Sequence, residues 1–244
     1  MKIRIKFQKY GMMRFIGHLD MMRYFQKVMR RADIDIAYSE GFSPHQIMSF
    51  AAPLGVGITS DGEYLDIEAH SSRSSEESLS ALNEVMVEGV RVSEYKLLPE
   101  GTKNAMSSVA AADYTVTFKE KEKNPFTLQV LSKALEDFYG KQEEILITKQ
   151  TKKSEKTMDL KPLIYELKAI NEDNPGFFLK VCTGSTDNIK PELVLGAFSE
   201  YCRAQNICNF TFEPMDMQIH RNEVYARTEQ GEFVTLGSLG TDIK

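Results

Sequence analysis

Two observations predict an α+β fold built of two halves in tandem. Short stretches that alternate apolar and polar residues are separated by amphipathic stretches of helical period, in the order β-α-β-β-α-β. After a turn-rich interruption the same order recurs, interrupted once by an insertion. An antiparallel sheet with two helices on one face, the ferredoxin-like arrangement, is the simplest packing of that order. Residues 1–98 form the first half, 99–111 a linker, and 112–244 a second, decorated ferredoxin-like half.

The elements follow in order. Lys2-Ile3-Arg4-Ile5-Lys6-Phe7 alternates as a half-buried strand does. Leu19, Met22, Phe25, Met29 and Ala32 recur at helical spacing, so 18–33 reads as an amphipathic helix whose other face carries Arg23, Lys27, Arg30 and Arg31. Residues 46–58 and 63–70 read as extended segments joined by a turn at Asp61-Gly62. In the second of these, Leu65 and Ile67 face the core, and Tyr64, Asp66 and Glu68 face away. Ser74 and Glu77 fit a capping box that opens a helix carrying Leu79, Leu82 and Met86, and 90–98 returns as a strand.

Beyond the linker, Tyr114–Phe118 reads as a strand, and Asn124-Pro125 caps a helix that carries Leu128, Leu131, Leu135 and Phe138 and stops at Gly140. Glu144–Ile147 is a strand, Lys152–Lys156 a hairpin tip, and 156–170 is open between strand and short helix. Phe177–Val181 resumes the sheet, Val194, Phe198, Tyr201 and Cys202 mark a helix, and Phe210-Thr211-Phe212 a last strand.

Composition bounds the function. With 42% hydrophobic and 27% charged residues the chain is neither disordered nor fibrous, and no run approaches the ~20 apolar residues of a membrane span. It reads as cytoplasmic. Cys182, Cys202 and Cys208 lack the paired short spacing of a zinc or iron–sulfur site, so no metal and no cofactor is assigned, and two of the thiols are expected in core positions. The net charge of −5 hides an asymmetry: residues 1–50 carry nine Lys and Arg against four Asp and Glu, and residues 51–100 carry three against ten. A basic N-terminal stretch suits a polyanionic partner, whereas the overall acidity disfavours non-specific nucleic-acid binding.

The unusual residues concentrate between Met13 and Gly57. Phe15-Ile16-Gly17-His18-Leu19-Asp20, Arg30-Arg31-Ala32, Tyr38-Ser39-Glu40-Gly41-Phe42-Ser43-Pro44-His45 and Glu63-Tyr64-Leu65-Asp66 resemble the signature blocks of the radical S-adenosylmethionine-linked family, the domain of unknown function 2344. Gly184-Ser185, Asn188 with Lys190-Pro191-Glu192, and Ile219-His220-Arg221 before Tyr225 extend the resemblance over nearly the whole chain. Gly17 departs from it, standing where the family usually has serine. The resemblance implies an accessory role beside a radical S-adenosylmethionine enzyme. With no Cys-x3-Cys-x2-Cys run, this chain cannot hold that chemistry's cluster, so the radical step belongs to the partner.

Three kinds of site remain open. His18, Asp20 and His45 are the candidate acid–base groups, although His18 and Asp20 also suit the start of a helix and His45 an ordinary turn. Arg23, Lys27, Arg30 and Arg31, with Arg221, are candidates for phosphate or RNA, with Tyr24, Tyr38 or Phe42 available to stack on bases; a solvated charged face is the alternative. Gly55-Val56-Gly57 reads as a hairpin connection, and the loop at 183–188 as capped. The chain therefore reads as an accessory or substrate-presenting protein, an RNA-binding module, or an RNA-processing or RNA-modifying enzyme.

Overall fold

A computed structural model describes residues 1–150, 155–184 and 187–244. The chain forms two compact units, Met1–Ala111 with Arg221–Lys244, and Ala112–His220. Along the chain lie β1 (Lys2–Lys9), α1 (His18–Arg31), β2 (Met48–Phe50), β3 (Thr59–Glu68), α2 (Ser75–Glu84), β4 (Val90–Leu97) and the single-turn α3 (Ala105–Ser108). They are followed by β5 (Ala111–Phe118), α4 (Leu128–Leu135), β6 (Leu146–Gln150), β7 (Glu155–Asp159), β8 (Ile164–Ile170) and β9 (Gly176–Cys182). Last come α5 (Pro191–Ala204), β10 (Met217–Arg227) and β11 (Phe233–Thr235). The protein is a mixed α+β structure, and every strand pair of described register is antiparallel.

In the first unit β1 lies between β3 and β4, and β2 pairs with β3. Alternation sends Ile3, Ile5 and Phe7 of β1 and Leu65 and Ile67 of β3 to one face, where Phe25, Val28 and Met29 of α1 cover them. The Phe7 and Phe25 rings meet at 4.7 Å, and Phe50 stands edge-on to Phe7 at 6.0 Å. The expected capping box is formed: the Ser74 hydroxyl accepts from the Glu77 amide, and the Glu77 carboxylate accepts from the Ser74 amide.

Several expectations need correction. Asp61-Gly62 is not a turn but lies inside β3. Glycine is required because a Cβ at Gly62 would stand 2.6 Å from the Glu223 Cα and 2.8 Å from the Asn222 carbonyl of β10. On the far side of β3, Glu68 is exposed as expected, but Tyr64 and Asp66 are buried, at 2% and 4% exposure. Residues 99–111 are not a linker, because Ala105 and Ala111 are fully buried and α3 forms there. Residues 221–244 belong to the first unit: Thr241 pairs with Leu97, and the Ser75 amide donates to the Ile243 carbonyl at 2.9 Å.

In the second unit β9 lies between β5 and β8, and β6 and β7 form a separate two-stranded sheet. Its core is aromatic, with Phe126 within 6.5 Å of Phe118, Phe177, Phe198 and Phe210. The cap of α4 is Thr127, whose hydroxyl accepts from the Val130 amide, and Asn124 instead ties the preceding loop to the Pro175 carbonyl. Residues 156–170 resolve into β7, a single 3-10 turn and β8. Phe210-Thr211-Phe212 is not a strand, and Phe210 serves as a core plug before β10. Residues 152–154 of the expected tip at 152–156 lie outside the described residues, as do Ser185 and Thr186 of the 183–188 loop, and 155–156 fall in β7. Of the three thiols only Cys202 is fully buried. Among the described residues no helix is long and apolar enough to cross a membrane.

Candidate functional site

Two of the signature residues, His18 and Glu63, meet at the start of α1. A 3-10 turn at Gly11–Phe15 brings the chain from β1 back toward the sheet, and His18 opens the helix with its ring edge-on to Phe50 at 5.3 Å. His18 lines a small cavity with Phe7, Lys9, Phe50, Leu54 and Glu63. At about 10 Å³ this cavity is at the lower limit for one water molecule and holds no substrate.

Beneath it is a cluster of buried charge. Arg221 of β10 grips Glu63 of β3 through two nitrogens, Nε to Oε1 at 2.8 Å and Nη2 to Oε2 at 2.6 Å, and donates to the Ala52 carbonyl at 2.7 Å. Lys9 is 3% exposed and donates to the Ile16 carbonyl at 2.7 Å. Burial lowers the Lys9 pKa, Glu63 opposes the shift, and Arg221 adds to it. The cluster thereby ties β1, β3, β10 and the 50–54 segment to the turn that launches α1.

The other face of the same strands carries a second set. Arg4 pairs with Asp66 at 2.7 and 2.8 Å and donates to the Leu236 carbonyl at 3.2 Å. Lys6 pairs with Glu223 at 2.6 Å, and Glu223 also accepts from the Tyr64 hydroxyl at 2.8 Å. Burial first, and then the Glu223 carboxylate, push the Tyr64 phenol far above its usual range, so it stays a donor.

The other candidates are at the surface or committed to partners. Asp20 pairs with Arg23 at 3.0 Å on the exposed side of α1, and no hydrogen bond joins it to His18 among the described residues. Lys27, Arg30 and Arg31 are exposed, with no carboxylate paired to them among the described residues. Arg221 is held by Glu63, so a phosphate would have to displace a buried carboxylate to reach it.

His45 closes a presented loop. The Ser39 amide donates to the His45 carbonyl at 2.8 Å, the His45 amide donates to the Ser39 hydroxyl at 3.1 Å, and that hydroxyl lies 2.8 Å from His45 Nδ1. Tyr38 and Gln46 pair just below, and the Gln46 side chain donates to the Gln26 carbonyl of α1. Phe42, between Gly41 at φ +108° and Ser43, is fully exposed at the tip. Phe15, Leu19 and Val56 are further exposed apolar side chains, and the Gly57 amide donates to the Arg14 carbonyl, which brings the 55–57 segment to the 3-10 turn.

Sequence reasoning named His18, Asp20, His45 and Arg221 but missed Lys9, Glu63 and Glu223. The available signal was the pair of charges Arg221 and Glu223 in β10, which meet Glu63 of β3 and Lys6 of β1 respectively. Opposite charges on neighbouring strands pair when both are buried.

Residues 2–191 match the model of a family described as "Uncharacterized protein conserved in bacteria (DUF2344)". The chain belongs to this family. The matched span of DUF2344 takes in His18, the 38–45 loop and Glu63, whereas Arg221 lies beyond it. No curated protein matches the chain. Among solved structures, a chain of "Crystal Structure of a Cbf5-Nop10-Gar1 Complex" is similar at 9% identity and a TM-score of 0.45, over 91% of this chain and 48% of that one. The DUF2344 chain thus spans about half the length of the solved chain it matches. Among the described residues no group of three or more His, Cys, Asp or Glu is placed to hold a metal ion.

Proposed function

We propose that this protein is an accessory or substrate-presenting partner of a radical S-adenosylmethionine enzyme, acting in the cytoplasm. The observation that carries the reading is the 38–45 loop. A signature block there is spent on displaying Phe42 to solvent above a base fixed by the paired bonds of Ser39 and His45. A fully exposed aromatic held on a braced loop costs little ordering when it docks, the property of an interface anchor. His18 and Glu63 border a cavity with no room for a substrate, which favours presentation over catalysis at that cluster. The order β1-α1-β2-β3-α2-β4, with β1 between β3 and β4 and β2 beside β3, supports reading the first unit as ferredoxin-like. The order β5-α4-β8-β9-α5-β10, with β6 and β7 inserted, supports the same reading of the second.

The test is affinity purification of the tagged full chain from its native host after ribonuclease treatment. A radical S-adenosylmethionine enzyme is expected with the wild-type protein and is lost with Phe42→Ala, since loss of an aromatic anchor costs on the order of 2 kcal/mol, about 30-fold in affinity. Absence of any such enzyme refutes the reading, and its retention by Phe42→Ala refutes the surface.

An RNA-binding module is the second reading, favoured by the exposed, carboxylate-free Lys27, Arg30 and Arg31 on one helix. It requires binding that weakens steeply with salt and with the Arg23→Ala, Arg30→Ala pair.

A further inference from the structure

The cysteines of the second unit are not alike. Cys182 of β9 donates to the Asp187 carbonyl at 3.4 Å. Cys202 lies near the end of α5 and is fully buried, whereas Cys208 follows the helix and is half-buried.

The end of α5 brings these last two together. The Asn206 amide donates to the Arg203 carbonyl at 3.1 Å and the Ile207 amide to the Cys202 carbonyl at 3.0 Å, with Asn206 left-handed at φ +53°. Those two bonds and that conformation are a Schellman motif, which folds the chain back over the last helical turn. Cys208 is the next residue, and its sulfur accepts a hydrogen bond from the Cys202 thiol and another from the Phe210 amide. Two residues on, Phe210 enters the aromatic core, 5.3 Å from the Phe126 ring and 5.9 Å from that of Phe118.

The two sulfurs differ in chemistry. Burial first, and then Cys208, push the Cys202 thiol up to about 12. Burial also raises Cys208, but there the bonds from the Phe210 amide and the Cys202 thiol oppose it, so Cys208 is the sulfur that ionises first. A half-exposed sulfur with a buried thiol held against it is the arrangement of an oxidisable cysteine and its resolving partner.

We propose that Cys202 and Cys208 are a redox pair, closed into a disulfide by a peroxide and reopened by a dithiol, which fixes the Phe210 segment to the end of α5. The Cys208 thiolate attacks one peroxide oxygen, the O–O bond breaks, and the departing hydroxide takes up a proton, leaving a sulfenic acid and water. The Cys202 sulfur then attacks the sulfenic sulfur, the S–O bond breaks, and the released hydroxide takes the Cys202 proton as a second water. The two sulfurs together lose the two electrons that reduce the peroxide. In a reducing compartment such a bond is transient.

The experiment uses the full chain carrying Cys182→Ser, treated with hydrogen peroxide and then with excess dithiothreitol. After peroxide, the denatured protein should have no thiol that reacts with maleimide and should run as a single chain in non-reducing electrophoresis. Trypsin cuts after the exposed Arg203, between the two cysteines, so the digest should hold two peptides joined through Cys202 and Cys208. Dithiothreitol should restore both thiols. The closed ring restricts the unfolded chain, so the oxidised form should melt ~3–8 °C above the reduced one, and Cys208→Ser should abolish the difference. Cys202→Ala should leave Cys208 as a sulfenic acid that dimedone traps. The proposal is overturned by unlinked peptides, by a bond between chains, or by a bond that dithiothreitol does not reopen. It is equally overturned by an oxidised form that melts no higher, or by an undiminished rise in Cys208→Ser.

Discussion

The buried pair of Glu63 and Arg221 makes an asymmetric prediction. Three charges share the site, and Glu63 is the anion among them, with Arg221 bonded to it and Lys9 within its field. Arg221→Met keeps most of the apolar stem and leaves one cation facing one anion. Glu63→Gln leaves two cations in a place where Arg221 is 2% exposed and Lys9 is 3% exposed. Breaking a buried pair costs about 3–5 kcal/mol, so Arg221→Met belongs near 3 and Glu63→Gln near 5. The double variant should cost less than the sum by ~2 kcal/mol, because its second substitution removes a charge already stranded. Urea unfolding followed by circular dichroism gives the totals, and native-state hydrogen exchange of the β3 amides reports the first unit by itself. A Glu63→Gln cost equal to or below that of Arg221→Met, or either cost under ~1 kcal/mol, refutes the description of this cluster as a closed ionic tie.

Two further predictions concern the same strands. Burial lowers the Lys9 pKa in the folded protein, so the cost of charging it is fully present below that pKa. The cost fades as pH rises through the lowered pKa toward the ordinary lysine value of about 10.4, so wild-type stability should gain on Lys9→Met as pH approaches that value; a flat difference counts against the burial of the ammonium. Gly62→Ala drives a Cβ to 2.6 Å from the Glu223 Cα and should cost more than ~3 kcal/mol in urea unfolding, whereas a turn glycine would cost only about 1.

What the sequence disclosed depended on whether one strand or helix sufficed to read it. α1 was legible because its apolar stripe and basic stripe are both local, and α2 because Ser74 and Glu77 announce the cap. β10 was not, because its alternating Arg221 and Glu223 look like a solvated face until β3 supplies Glu63 and Tyr64. Gly62 misled for a related reason: Asp-Gly is a turn signal locally, but its cause here is a close approach by residues 160 positions later. The 221–244 segment was assigned by proximity in sequence, whereas its place is set by pairing with residues near 75 and 97.

The signature residues then separate into two kinds that sequence alone treats as one. Glu63 and Asp66 are buried under guanidiniums, and their identity is explained by the charge they must neutralise. Phe42 and Leu19 neutralise nothing and stay largely in solvent, at full and 61% exposure respectively. Burying an exposed Phe against a partner recovers roughly 2–3 kcal/mol, and leaving it in water on a braced loop gains the isolated chain no such term. Stability therefore accounts for the first kind and not the second. Phe42 is therefore the residue that the partner experiment tests first.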